Sequence, residues 1–277
     1  MRERRSIGAF TLIEMLTVIA IIGVIAAIMM PTLKNFRQND ATQSATRQLL
    51  DAVARARQLA ISQRTTVYLV FLPTNFWVTP ANLNNPALSY ADRLAATNLA
   101  DKQLTAYNFV ALRSVGDQPG QGFPRYLSTW ETLPPSTFIA FDKFNLVRTN
   151  LFGQFTGYYI TNLFRLSDFR VYGFSTTTNI PFPLATTLPW RNGGYPELPY
   201  IGFDYLGRVI SGEDEFIPLS KGGINYAKGT NGLPLLLVNG PSPSVVEAPP
   251  GNTTNAYNLV HIDWLTGRAR LERQEVR

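Results

Sequence analysis

Gly8-Ala9-Phe10-Thr11-Leu12-Ile13-Glu14 joins a short basic leader to an apolar run that carries one acid near its start. From Phe10 to Met30 there are 21 residues, and Glu14 is the only charged one among them. As a helix this run is about 31 Å long, against a hydrocarbon core of about 30 Å. A lone carboxylate in lipid costs about 2.5 to 3.5 kcal/mol at mid-bilayer, so Glu14 requires a partner. A simple transmembrane anchor explains the length and leaves Glu14 unexplained. A secretory signal peptide shares the basic start, with Val24-Ile25-Ala26 as a passable cleavage signal, but its apolar region would be overlong and would contain an acid. A buried core helix is the third ordinary reading.

The spacing within the stretch indicates where a partner comes from. Were the chain cut after Ala9, the new amino group on Phe10 would lie four residues before Glu14, about one helical turn away. In an array of parallel helices, the amine of one subunit would then meet the carboxylate of its neighbour. This segment resembles the N-terminus of type IV prepilins and of type II secretion pseudopilins, which have a short basic leader, a small residue before the cut, then Phe-Thr-Leu-Ile-Glu and an apolar run. The resemblance implies cleavage between Ala9 and Phe10, just after Gly8, by a membrane prepilin peptidase, with N-methylation of Phe10 and assembly through Phe10 and Glu14. It also implies the partners: the lipid bilayer, an inner-membrane assembly platform and other pilin or pseudopilin subunits. Ala9 stands where the family more often has glycine, and Pro31 falls where many pilins carry a helix-bending proline.

Composition bounds what remains. The 277 residues, 45% of them hydrophobic, suffice for one anchor and one globular domain. Cysteine is absent, so neither disulfides nor thiolate metal sites contribute. The net charge is +6, and removing residues 1–9 takes away three arginines and one glutamate and leaves +4, an excess that neither demands nor excludes an anionic partner. Arg2, Arg4 and Arg5 ahead of the apolar run favour a cytoplasmic N-terminus, outnumbering Lys34 and Arg37 beyond it. The chain after Pro31 then lies on the far side of the membrane, and the prepilin resemblance implies a single-pass protein of the bacterial inner membrane whose C-terminal domain is periplasmic and which enters a filament on assembly.

Past the anchor the sequence stays free of helix breakers, with no glycine between Gly23 and Gly116 and no proline between Pro31 and Pro73. Leu33, Phe36, Ala41, Ala45, Leu49, Val53, Ala56 and Ala60 recur mostly at three- and four-residue steps, while Arg37, Asp40, Gln43, Arg47, Asp51, Arg55 and Gln58 take other faces. The pattern predicts one helix from Phe10 to about Ser62, about 80 Å long, bent at Pro31 and packed through its second half on a sheet. Strand chemistry starts at Thr65 and runs through Leu72 to Pro73, with Phe76-Trp77-Val78 as an extension. Further strands are predicted at 108–112, 137–141, 200–204, 208–211, 216–219, 235–238, 258–264 and 268–272, with Gly207 and Gly267 at hairpin turns. Strands after one long helix give an α+β fold, an antiparallel sheet lying on that helix, as in type IV pilins. The expected divisions are a leader at 1–9, a transmembrane and filament-core helix at 10–30, its amphipathic half at 31–64, and a β-rich domain at 65–277. Within that domain, 80–199 reads as an insertion of loops and strands with a helix near Tyr90–Leu104.

Three later stretches extend the family likeness. Ala54-Arg55-Ala56-Arg57-Gln58-Leu59-Ala60-Ile61, Phe203-Asp204-Tyr205-Leu206-Gly207-Arg208 and Ile262-Asp263-Trp264-Leu265-Thr266-Gly267-Arg268 resemble the helix end and paired strand-turn signatures of the FimT and GspH group of minor pilins and pseudopilins. Gly267-Arg268-Ala269-Arg270 is similar to the element with which FimT-like minor pilins hold DNA in natural transformation. Arg268 and Arg270 fall on one side of a strand, and guanidinium groups suit phosphate, although Glu272 and Glu275 dilute the charge.

No catalytic constellation stands out, so no enzyme, cofactor or metal is expected. His261 is the only histidine; it alternates with Asp263 along a strand and reads as a satisfied structural residue. Glu213-Asp214-Glu215 offers the hard oxygens that calcium takes, but three adjacent acids do not make a coordination cage, and the stretch reads as a solvated turn. The function expected is that of a minor pilin or pseudopilin, with a DNA-binding minor pilin as the alternative.

Overall fold

The computed structural model describes residues 11–76, 89–113, 124–145, 157–162, 165–178, 180, 182–183, 198–230, 232, 242–255 and 258–273. The chain divides into two compact units, residues 1–40 and 41–277. Helix α1 (Leu12–Gln63) contributes to both, and Pro31 lies inside it rather than ending it. In the second unit the buried face of α1 is made of Ala45, Leu49, Ala52, Val53, Ala56 and Ala60. Four of these six are alanines, which let strands approach the helix axis closely. Gln43, Arg47, Asp51, Arg55 and Gln58 are exposed, as their spacing predicts. Leu33 and Phe36 lie where side chains are outside the described residues. The helix closes with Arg64 in the left-handed region (φ 49°), where the Thr65 amide donates to the Ala60 carbonyl.

Two antiparallel sheets, not one, pack over this helix. The first has the order β3 (Arg125–Tyr126), β2 (Ala106–Ala111), β1 (Val67–Phe71), β8 (Tyr200–Phe203), with β4 (Glu131–Thr132) also on β2. The second has the order β10 (Ser244–Glu247), β9 (Glu215–Asn225), β11 (Asn258–Ile262), β12 (Ala269–Arg273), with β5 (Thr137–Ile139) also on β9. Val67, Leu69, Phe71, Tyr107, Phe109, Ile201 and Phe203 from one sheet, and Ile139, Ile217, Leu219, Val260 and Ile262 from the other, share a single core with α1. A separate ribbon pairs β6 (Gly157–Asn162) with β7 (Arg165–Tyr172). The expected single sheet splits because β5, from early in the chain, pairs with β9, while β8 pairs with β1.

All of β1 is buried, and the alternate residues Tyr68, Val70 and Leu72 explain why. They enter a second core with Ala96, Leu99 and Ala100 from helix α2 (Tyr90–Leu99) and its end, and with Phe76, Ile180, Phe182 and Leu198. Part of the stretch 80–199, read as an elaborated insertion, thus packs as an outer layer on the first sheet, while β2 to β5 within it are strands of the two sheets themselves. α2 is shorter than predicted, starting on the Ser89 cap and ending at Leu99.

Other differences are local. Arg208–Ser211 forms only a bridge, Val209 to Phe203, because the chain turns away at once. Phe141 opens a short helix, α3 (Phe141–Asn145), instead of closing a strand. β9 continues past Leu219 through Gly222 and Gly223, where β10 crosses so close that a Cβ on Gly222 would strike the Val246 carbonyl. Trp77-Val78 and 235–238 lie outside the described residues.

Candidate assembly segment and surface sites

Thr11 and Glu14 start α1 as a reciprocal cap. The Glu14 amide donates to the Thr11 hydroxyl at 3.3 Å, and the Glu14 carboxylate accepts from the Thr11 amide and hydroxyl at 3.3 and 3.2 Å. A Thr-x-x-Glu box of this kind satisfies helix donors that have no intrahelical partner. In the single chain, then, Glu14 has a local partner, which the need for one inferred from burial in lipid did not foresee. Around the cap the surface is apolar on every side. Leu12, Ile13, Leu16, Ile19, Ile22 and Val24 are all more than half exposed. A helix apolar all round is stable only when something covers it. Among the described residues no helix is long and apolar enough to cross a membrane. The described side chains of the run end at Ile28, and those of 29–40 lie outside.

Residues 4–30 match the sequence profile of the prokaryotic N-terminal methylation motif. The chain carries a type IV prepilin-like N-terminus. No curated protein and no solved structure matches it. Within the prepilin-type segment, Thr11 and Glu14 are placed as above, while Gly8, Ala9 and Phe10 lie outside the described residues.

The other predicted sites sit in the second unit. Glu213-Asp214-Glu215 is not a solvated turn: its acids separate to different neighbours. Glu215 is buried against Lys143 of α3 (Oε2 to Nζ, 3.0 Å). Asp214 takes the His261 ring nitrogen Nε2 at 2.9 Å and the Trp264 amide at 2.9 Å. Among the described residues no three of His, Cys, Asp or Glu gather as a metal site. His261 stacks on Phe216, with ring centroids 4.4 Å apart, and its Nδ1 faces Glu272 at 3.2 Å, so it is satisfied on both nitrogens. Glu272 in turn takes Arg270 at 2.6 Å. Its burial favours the neutral acid, but the hydrogen bonds from Arg270 and His261 outweigh that and hold its carboxyl below the ordinary range. Asp263 does not join His261: its carboxylate caps the following turn through the Thr266 amide and hydroxyl, which keeps it ionised to lower pH.

Arg268 and Arg270 are both exposed, but Arg270 is the guanidinium already bound to Glu272. Arg268 closes a turn that lies directly against its earlier counterpart. The Asp204 carboxylate caps Leu206 and Arg208 in the first turn, Asp263 caps the second, and the Val209 amide donates to the Trp264 carbonyl between them. Gly207 (φ 81°) and Gly267 (φ 61°) let the turns touch, since a Cβ on Gly267 would strike the Gly207 carbonyl. Arg57 of α1 anchors the pair by donating from Nε to the Thr266 carbonyl at 2.7 Å.

Two clusters were not foreseen from sequence. Lys143 also donates to the Tyr172 carbonyl at 2.7 Å and lies 4.8 Å from the Phe174 ring, a fully buried cation whose only local signal is its position between Phe141 and Phe144. Gln48, Tyr107, Glu131 and Arg55 form a polar clamp between α1 and the first sheet. Gln48 donates to the Tyr107 hydroxyl, Tyr107 donates to Glu131, and Arg55 pairs with Glu131 at 2.8 Å while lying over Phe109.

Proposed function

We propose that this chain is a minor pilin or pseudopilin, a structural subunit rather than an enzyme. It is inserted in the inner membrane through residues 10–30 with its N-terminus cytoplasmic and its C-terminal domain periplasmic. Prepilin peptidase cuts between Ala9 and Phe10, Phe10 is N-methylated, and the assembly platform passes the subunit into a type IV pilus or a type II secretion pseudopilus. The observation that carries this reading is the exposed, largely apolar run Leu12–Ile28, in which Glu14 is the only charged residue, within a prepilin-type motif. The helix end at Ala54–Ile61 and the two Gly-Arg turns docked on it support the FimT and GspH group.

In a filament the Glu14 carboxylate exchanges its Thr11 cap for the Phe10 amine of a neighbour. Glu14→Ala should leave membrane insertion intact and impair assembly, as measured by membrane fractionation against sheared filaments. Glu14→Gln, which keeps a capping side chain without the charge, should behave like the alanine variant. Normal incorporation of both variants would contradict the pairing.

A DNA-receptor pilin is the second reading, favoured by the exposed Arg268 beside the exposed Trp264 and Tyr205. Arginine for phosphate and aromatic faces for bases is a combination that suits single strands. A gel-shift titration over salt should show Arg268→Ala weakening binding and Arg270→Ala, whose side chain is held by Glu272, doing less. No arginine-dependent shift at low salt removes this reading.

A further inference from the structure

On one of its two sides β9 outruns its partner. β5 pairs with it from Ile139 opposite Leu219 to Thr137 opposite Lys221, and the Gly222 amide still donates to the Ser136 carbonyl at 3.1 Å. There the earlier chain leaves. Ser136 is in the left-handed region (φ 65°), and Pro134 and Pro135 before it have no amide to offer a ladder. On the opposite side β9 goes on pairing with β10 as far as Asn225. Backbone groups alternate between the two sides of a strand, and those of Gly222 face β5, so Ile224 turns its amide and carbonyl to the side that β5 has left. Among the described residues no strand pairs with β9 there.

On that side lies a groove of about 370 Å³, walled by Lys102, Pro134, Pro135, Ile224 and Tyr226. Thr137 lines it at 2% exposure, and its buried Oγ1 has no hydrogen-bond partner among the described residues. A buried hydroxyl left unpaired is costly, and a ligand in the groove with a polar group at that point would complete it. Gly223 also lines the groove, on the face of Lys221, the cross-strand partner of Thr137. A Cβ on Gly223 would meet nothing within 4 Å, so a second backbone has room to come close.

We infer that this groove takes a short extended segment of another protein, which adds to β9 as a strand where β5 stops. Ile224 exchanges main-chain hydrogen bonds with the segment, and a hydroxyl or amide side chain of the segment meets Thr137 Oγ1. An extended backbone is the ligand that offers an edge strand both an acceptor for its amide and a donor for its carbonyl, with alternate side chains left to fill the groove. Asp101 and Lys102 line the same groove with opposite charges, so it selects no net charge, and the segment is uncharged where it pairs. Nothing in this depends on the N-terminal segment, so it goes beyond the subunit reading and is tested apart from it.

A phage-displayed library of random heptapeptides, panned on the full-length protein in detergent micelles, supplies the probe; the selected peptide is resynthesised with a fluorophore and titrated by anisotropy. Gly223→Val, which fills open space at an exposed strand position, should keep the denaturation midpoint and weaken binding about tenfold. Thr137→Val, which keeps the shape and removes the hydroxyl, should raise the midpoint and yet weaken binding severalfold, a split that a merely structural hydroxyl would not produce. N-methylating the peptide amides one at a time should abolish binding at alternate positions, as for a paired strand. No selected peptide, a selected peptide that binds either variant as it binds the wild type, or a loss on N-methylation without alternation would each overturn the inference. Self-association of the protein that Gly223→Val removes, seen by sedimentation, would also overturn it, by making a second copy the occupant. None of these results bears on processing at Ala9 or on Glu14-dependent assembly.

Discussion

At the scale of single residues, the protein places charge where it is costly and then satisfies it. Glu14 stands in an apolar helix and is capped by Thr11. Lys143 and Glu215 are 0% and 2% exposed and lie 72 residues apart in sequence, a pairing no local pattern reveals. Each ion keeps the other tolerable, so removing one strands its partner. Lys143→Met should destabilise the protein by about 3 to 5 kcal/mol, whereas Lys143→Met with Glu215→Leu should recover most of that loss. Denaturant midpoints of the two variants check this; a double variant as unstable as the single one would mean that the cost lies in packing and not in charge.

At the scale of elements, what could be read in advance tracks how local the determining interactions are. α1 was legible because its three- and four-residue apolar steps run for many turns without a breaker. β1 was legible as a continuous β-branched and aromatic run, and β11 and β12 were legible because Gly267 marks their turn. β9 runs on to Asn225 beyond the predicted 216–219, and Gly222 lies where β10 passes too close for a side chain, a long-range pairing that the local sequence does not show. Gly267 illustrates the difference between two costs of replacing glycine. At Gly212 (φ 73°) a Cβ meets nothing within 4 Å, whereas at Gly267 it meets the Gly207 backbone. Gly212→Ala carries backbone strain alone, about 1 kcal/mol, and Gly267→Ala should cost clearly more. Thermal or denaturant unfolding of the two variants gives the comparison, and equal losses would mean that the paired turns are not braced against each other.

At the scale of the whole molecule, the α+β class and the helix-on-sheet packing followed from element order, but the division into two sheets did not. That division is set by pairings across long stretches of chain, β5 with β9 and β8 with β1, and by the outer layer that α2 and its neighbours lay on the first sheet. Candidate sites divided in the same way. The prepilin-type segment is a contiguous motif and could be found by reading along the chain. The fates of Asp214, Glu215 and His261, and the meeting of the two Gly-Arg turns, depend on where distant strands lie.

In the function proposed above, processing turns the N-terminal segment into an assembly device. Mass spectrometry of the N-terminal peptide, from cells with an active prepilin peptidase, reads that processing out. The mature chain should begin at Phe10 and carry one added methyl group on that amine. An intact leader, or a chain that begins after the Val24-Ile25-Ala26 signal, would contradict it.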